Sequence, residues 1–159
     1  MSIYKNRAEF ISRTLSFLDK YEKGCNFEKT FFLNCCLGLL VIPQQCAVQD
    51  SNLYVSNIVD YDNWGIDKSK ILVNSHAHNR PKNSAENIAR HIRNSIAHYR
   101  FDIIKVNENV ETIKEIHLQD FKKKKGKEQI TFDLTLSFDD FKKFVLKYAK
   151  EQKKKLETI

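Results

Sequence analysis

Apolar positions recur with a helical period in the first forty residues and with a period of two after residue 101. Between them lies a long stretch with little period. Residues 3–21 carry Phe10, Ile11, Leu15 and Leu18 at helical spacing, and Gly24 follows just beyond. From about 27 to 40 the chain is apolar nearly all round (Phe31, Phe32, Leu33, Cys35, Cys36, Leu37, Leu39, Leu40), which predicts a central buried helix stopping before Pro43. Gly38 within it would admit a close neighbour. Residues 44–82 are rich in Asn, Asp and Ser. Their short apolar pieces, Leu53-Tyr54-Val55, Ile58-Val59 and Ile71-Leu72-Val73, predict turns or short helices, with Trp64 pinning the segment to the body.

A third helix is predicted to start at Asn83 as N-cap, with Glu86 three residues on completing a capping-box pair. Its apolar stripe is Ala85, Ile88, Ala89, Ile92, Ile96 and Tyr99, while Arg90, Asn94 and His98, four apart, form a wholly polar stripe. Beyond Phe101 the alternation predicts strands at 111–121 and 129–136, the second with Ile130, Phe132, Leu134 and Leu136 on one face. A lysine-rich turn joins them. Ser137 and Asp140 then form a second capping box, opening a last helix with Phe141, Phe144, Val145 and Tyr148 inward. The expected fold is mainly α: a single domain over 1–150, built as a helical bundle with a two-stranded β-hairpin (about 111–136) inserted before the last helix. A basic tail over 151–159 is expected to fray.

Composition sharpens this picture. A chain of 159 residues, 42% hydrophobic and 11% aromatic, can bury a core and is not disordered as a whole. Its longest apolar run, 31–42, is broken by Asn34 and is too short to span a bilayer; the N-terminal residues form no secretory apolar region, so a cytoplasmic protein is expected. Cys25, Cys35, Cys36 and Cys46 show no C-x-x-C spacing, which points to small apolar side chains rather than a disulfide or zinc framework. The net charge of +7 is uneven: residues 1–121 hold 15 Lys and Arg against 14 acids, whereas 122–155 hold 12 Lys against 5 acids. Such a basic third suits a polyanion partner, and equally a solvated surface.

The candidate chemistry lies at the end of the third helix, in Arg93-Asn94-Ser95-Ile96-Ala97-His98. Cleavage of RNA by its own 2′-hydroxyl needs a base, a cation for the crowded phosphate and an acid at the departing oxygen. Histidine's ordinary pKa suits both proton transfers near neutrality. Arg93 keeps its charge and can hold a phosphate through two parallel donors, and Asn94, one turn before His98, can orient its ring or bind a phosphate oxygen. On a straight helix, five positions separate Arg93 and His98 by about 140° in azimuth and about 7.5 Å along the axis. They converge only if the helix unwinds or if a second copy completes the site, and one histidine supplies only one of two proton transfers, so a homodimer is expected. The competing reading is a helix end whose polar groups are merely satisfied: Arg93 on an acid, His98 on backbone.

Arg90 and Arg100 flank the motif as candidate phosphate ligands, or as surface ion pairs, and Lys122, Lys123, Lys124, Lys125 and Lys127 of the turn form a further candidate RNA contact. His76 and His78 with His91 lack the spacing of a metal site, so no metal is expected; no P-loop or glycine-rich phosphate cradle occurs, and no cofactor is expected.

The runs Asn34-Cys35-Cys36-Leu37-Gly38-Leu39-Leu40-Val41-Ile42-Pro43 and Ile92-Arg93-Asn94-Ser95-Ile96-Ala97-His98 resemble the HEPN superfamily (higher eukaryotes and prokaryotes nucleotide-binding), particularly a small stand-alone branch of bacterial plasmids and mobile elements. The resemblance implies an all-helical, dimerising bundle whose paired Arg and His motifs form a metal-independent ribonuclease site. Arg93, Asn94 and His98 are the implied catalytic residues. It also implies a toxin–antitoxin, phage-defence or RNA-processing setting, with an antitoxin or regulatory protein as a possible partner. Some members of the superfamily only bind RNA or a partner, so a silent binding module stands as the alternative. A third reading makes the polar stripe a dimer seam.

Overall fold

Helical spacing is realised close to where it occurs in the sequence. In a computed structural model describing residues 7–21, 28–49, 55–57, 59–75, 81–107 and 110–158, the helices are α1 (Arg7–Tyr21), α2 (Glu28–Gln49), α3 (Ala85–Ala97) and α4 (Phe138–Glu157). Strands β1 (Ile71–Val73), β2 (Phe101–Asn107), β3 (Val110–Lys124) and β4 (Lys127–Ser137) form one antiparallel sheet in the order β1-β4-β3-β2. The bundle with a two-stranded hairpin is therefore incorrect: the hairpin of β3 and β4 is the centre of a four-stranded sheet. Those two strands alternate clearly, but β1 is three residues without alternation and β2 carries Ile103-Ile104 side by side, so neither flanking strand announces itself locally. Both are recruited by pairing to the flanks of the hairpin.

The chain divides into two compact units, one of Met1–Val55 with Val145–Ile159 and one of Ser56–Phe144. In the first, α1 and α2 pack together, burying Ile11, Leu18, Phe32, Cys36, Leu39 and Leu40. Gly38 makes this approach possible, because a Cβ there would stand 3.2 Å from the Phe10 ring. Contrary to expectation, α2 does not stop before Pro43. Proline removes one backbone bond, at about 3 kcal/mol or more, and the helix nevertheless runs on to Gln49. Cys35 and Cys36 are free thiols. No helix among the described residues is long and apolar enough to cross a membrane. Helix α4 continues to Glu157, through most of the stretch read from sequence as a tail.

In the second unit α3 lies against β3 and buries Ala85, Ile88, Ala89 and Ile92 completely. Its N-cap is Ser84, one residue later than expected; the Ser84 Oγ accepts the Asn87 N–H at 3.3 Å. The S-x-x-D box of α4 forms as expected, with Ser137 Oγ accepting the Asp140 N–H at 3.1 Å and donating to Asp140 Oδ2 at 2.7 Å. Trp64, 4% exposed, packs on Phe144 with ring centroids 5.4 Å apart and anchors the middle segment.

The β3–β4 turn is Lys125-Gly126, with φ of 50° and 78°, the two positive values that a two-residue hairpin of matching twist requires. Further along, Asp120 pairs with Phe132 but Phe121 pairs with Ile130, leaving Thr131 as a bulge. The bulge reverses the alternation. Phe132, Leu134 and Leu136 are buried as expected, whereas Ile130 turns to the other face and is 39% exposed.

Helix α3 ends differently from its sequence pattern. His98 is the C-cap; Tyr99 N–H bonds Ile96 O at 3.1 Å and Arg100 N–H bonds Ser95 O at 2.7 Å, the paired closing bonds of a Schellman end. Tyr99 consequently leaves the apolar stripe: it has φ 54° and is 84% exposed. A tyrosine is strained there, so Tyr99→Gly should raise stability by about 0.5–1 kcal/mol in denaturant unfolding.

Candidate functional site

The polar side of α3 is a continuous hydrogen-bonded chain. Asn87, fully buried, donates through Nδ2 to Lys82 O at 2.8 Å and Ser75 O at 3.0 Å, while its Oδ1 accepts Arg90 Nη2 at 3.0 Å. The same Nη2 reaches His91 Nε2 at 2.8 Å, and His91 Nδ1 stands 2.8 Å from Asp120 Oδ2. Nε2 also lies 3.3 Å from Ser75 O, but the guanidinium at 2.8 Å can only donate. With the carboxylate at Nδ1, it favours the tautomer whose proton is on Nδ1, donated to Asp120. The imidazole is fully buried and stacks on Phe132 at 4.9 Å, 4° from parallel.

Asp120 collects the network. Its Oδ2 also accepts Asn94 Nδ2 at 2.9 Å; its Oδ1 accepts the Phe121 N–H at 2.9 Å and faces Arg100 Nη1 at 3.4 Å. Burial alone would raise this carboxyl's pKa, but the hydrogen bonds from His91, Asn94 and the Phe121 backbone outweigh it and hold the group below the usual carboxylate range. Strand geometry explains the placement. Ile116, Leu118 and Asp120 are two apart on the inward face of β3, and the Thr131 bulge opposite braces it, Thr131 Oγ1 donating to Asp120 O at 3.1 Å.

The residues singled out from sequence separate into two groups. Asn94 is anchored to Asp120 rather than to His98. Arg90 is engaged with Asn87 and His91, and Arg100 combines its contact to Asp120 with a position over the Phe121 ring, 5.1 Å from the centroid. Both arginines therefore have partners within the protein, Arg100 in an ion pair and Arg90 in hydrogen bonds. His98 is exposed at the helix end, and Arg93 is half-buried with an Nε that has no hydrogen-bond partner among the described residues. Lys122, Lys123, Lys124, Lys125 and Lys127 are all exposed at the hairpin tip. Of the histidines considered as metal ligands, His76 and His78 lie outside the described residues, and His91 turns both ring nitrogens to protein partners.

Sequence reasoning missed Asp120, Asn87 and Ser75, and treated His91 only as a weak ligand. One signal was present: Asp120 continues the inward alternation of Ile116 and Leu118, where a carboxylate needs partners. Chemically, a carboxylate with four donors is a structural acceptor rather than a base. Among the described residues of the motif and the hairpin tip, the His98 ring and the Lys122–Lys127 lysines are exposed, and Arg93 is half-buried. No curated protein and no solved structure matches the chain. A family model described as HEPN pEK499 p136 matches residues 1–158, nearly the whole chain, and the protein belongs to this HEPN family.

Proposed function

We propose that the protein is a metal-independent endoribonuclease in which Arg93, Asn94 and His98 form the active motif, completed across a homodimer. The observation that carries this reading is the presentation of His98: an exposed imidazole at the end of a helix whose Asn94 is locked in place by a buried carboxylate. A motif that only satisfied its own helix end would give the His98 ring a partner in the protein; among the described residues it is the backbone N–H that is bonded, to Asn94 O at 3.0 Å. That bond also keeps the His98 Cα on the helical path, so the end of α3 does not unwind to bring His98 round to Arg93. Of the two ways to unite them, a second copy is the one this geometry favours.

In this mechanism one protomer's imidazole removes the 2′-hydroxyl proton and the other's protonates the departing 5′-oxygen, while Arg93 neutralises charge on the phosphate. Single-stranded or looped RNA is the proposed substrate, because its backbone can reach in-line geometry, and the cytoplasm the proposed location. The test is cleavage of end-labelled tRNA and structured RNA in EDTA. Wild-type cleavage leaving cyclic-phosphate ends, absent from His98→Ala at matched folding, is the expected result. RNA retention without product at any time would replace the nuclease by the binding module.

The hairpin tip makes a separate prediction. If its lysines guide RNA, changing Lys122, Lys123, Lys124, Lys125 and Lys127 to Gln should weaken binding and flatten its salt dependence. The slope should fall by roughly 0.7 log unit per log salt for each single-strand phosphate that the tip no longer neutralises. The cleavage pattern should not change. Filter binding across a salt series measures it, and an unaltered slope would remove the tip from the RNA path.

A further inference from the structure

We infer that Asp120 is a positioning residue for the active motif, holding both flanks of the turn that presents His98. The inference rests on the proposed nuclease reading and extends it to a strand outside the motif. Asn94 lies four residues before His98 and Arg100 two residues after it, and one carboxylate meets both, at 2.9 Å and 3.4 Å. Between them stands Tyr99 in the left-handed region, a conformation that strains a non-glycine residue. A strained turn persists where its surroundings over-determine it. Here the constraints are the two closing bonds of α3, Gln119 N–H to Arg100 O at 3.0 Å, and the Asp120 carboxylate.

Asp120 is itself fixed from three sides, two at its carboxylate and one at its backbone carbonyl. His91 holds Oδ2 from within the helix, Phe121 N–H holds Oδ1 from the strand, and Thr131 Oγ1 holds the Asp120 carbonyl from the bulge. The bulge carbonyl is bound in turn by Asn74 N–H at 2.8 Å. Asp120 therefore transmits the position of the sheet to the end of α3. An asparagine cannot replace it: one of its two terminal atoms is a donor and would face donors from His91 and Asn94, or from Arg100 and Phe121.

The test compares Asp120→Asn, Asn94→Ala and the double variant. Asp120→Asn should fold cooperatively yet lose roughly 10–100-fold in kcat, the scale of a small misplacement of a catalytic group, with KM for RNA within about twofold. In the Asn94→Ala background the same change should lose part of its effect on kcat, keeping only what passes through Arg100, so that the two losses are less than additive. A merely structural Asp120 predicts additive losses that track unfolding, and that result would overturn the inference. A second readout needs no activity: the ring-proton NMR signals of His98, compared between wild type and Asp120→Asn. Shifted or broadened signals are expected; unchanged ones would sink the positioning role. If the wild type does not cleave RNA, the nuclease reading fails while the NMR comparison still judges Asp120.

Discussion

His98→Ala should fold like the wild type and cleave RNA about 10²–10⁴-fold more slowly, the range associated with losing one positioned proton-transfer group. The imidazole is exposed and caps α3 through its backbone N–H, which alanine retains, so its removal should change stability by no more than about 0.5 kcal/mol. Arg93→Ala should give a comparable loss. Arg93→Lys should recover only part of it, because an ammonium keeps the charge but not the two parallel donors. Single-turnover cleavage in EDTA, alongside denaturant unfolding of each variant, separates chemistry from folding. Full activity in His98→Ala would mean that the chemistry lies elsewhere. Loss of dimerisation, seen by sedimentation, would favour the reading in which the polar stripe of α3 is only a seam between copies.

Asp120→Ala should cost on the order of 3 kcal/mol of stability, since it strands the donors of His91 and Asn94 at about 1–3 kcal/mol each. That is a large fraction of the roughly 5–15 kcal/mol typical of a folded domain, yet short of the whole. The same carboxylate carries an acid-dependent signature. Its pKa is lower in the folded protein than in the unfolded chain, where it is about 3.9. The unfolded state then binds the proton more readily, so the stabilisation is fully present above about pH 5 and is lost as pH falls through about 3.9 and on through the folded value. Stability of wild type and Asp120→Ala should therefore differ most near neutrality and converge in acid. Urea unfolding of both from about pH 7 to about pH 3 measures this, and a gap that did not narrow would mean that the hydrogen bonds do not favour the ionised form.

How much of this was legible beforehand depends on whether a feature is local. The apolar spacing of α1, the all-round apolar α2 and the buried Phe141, Phe144, Val145 and Tyr148 of α4 follow from side-chain period, which any window of the chain displays. The Ser137 cap and the Lys125-Gly126 turn are equally local, because each is built from residues close together in the chain. The motif residues Arg93, Asn94 and His98 could be named, but their surroundings could not. Asn94 finds its partner 26 residues away and His91 finds the same carboxylate 29 residues away. No spacing rule connects positions so far apart.

The sequence by itself determined roughly where the four helices begin, the central hairpin and most of the buried faces, and it singled out a candidate motif. It did not determine how far α2 and α4 run, or that Tyr99 and Ile130 turn outward. Only the tertiary structure decided that the hairpin is the middle of a four-stranded sheet, that a bulge at Thr131 turns Ile130 outward, and that Asp120 ties His91, Asn94 and Arg100 together. The physical reason is the same throughout. Period and capping are properties of neighbouring residues, whereas strand recruitment, register and the pairing of a buried charge are settled by which distant groups remain to be satisfied once the chain has closed.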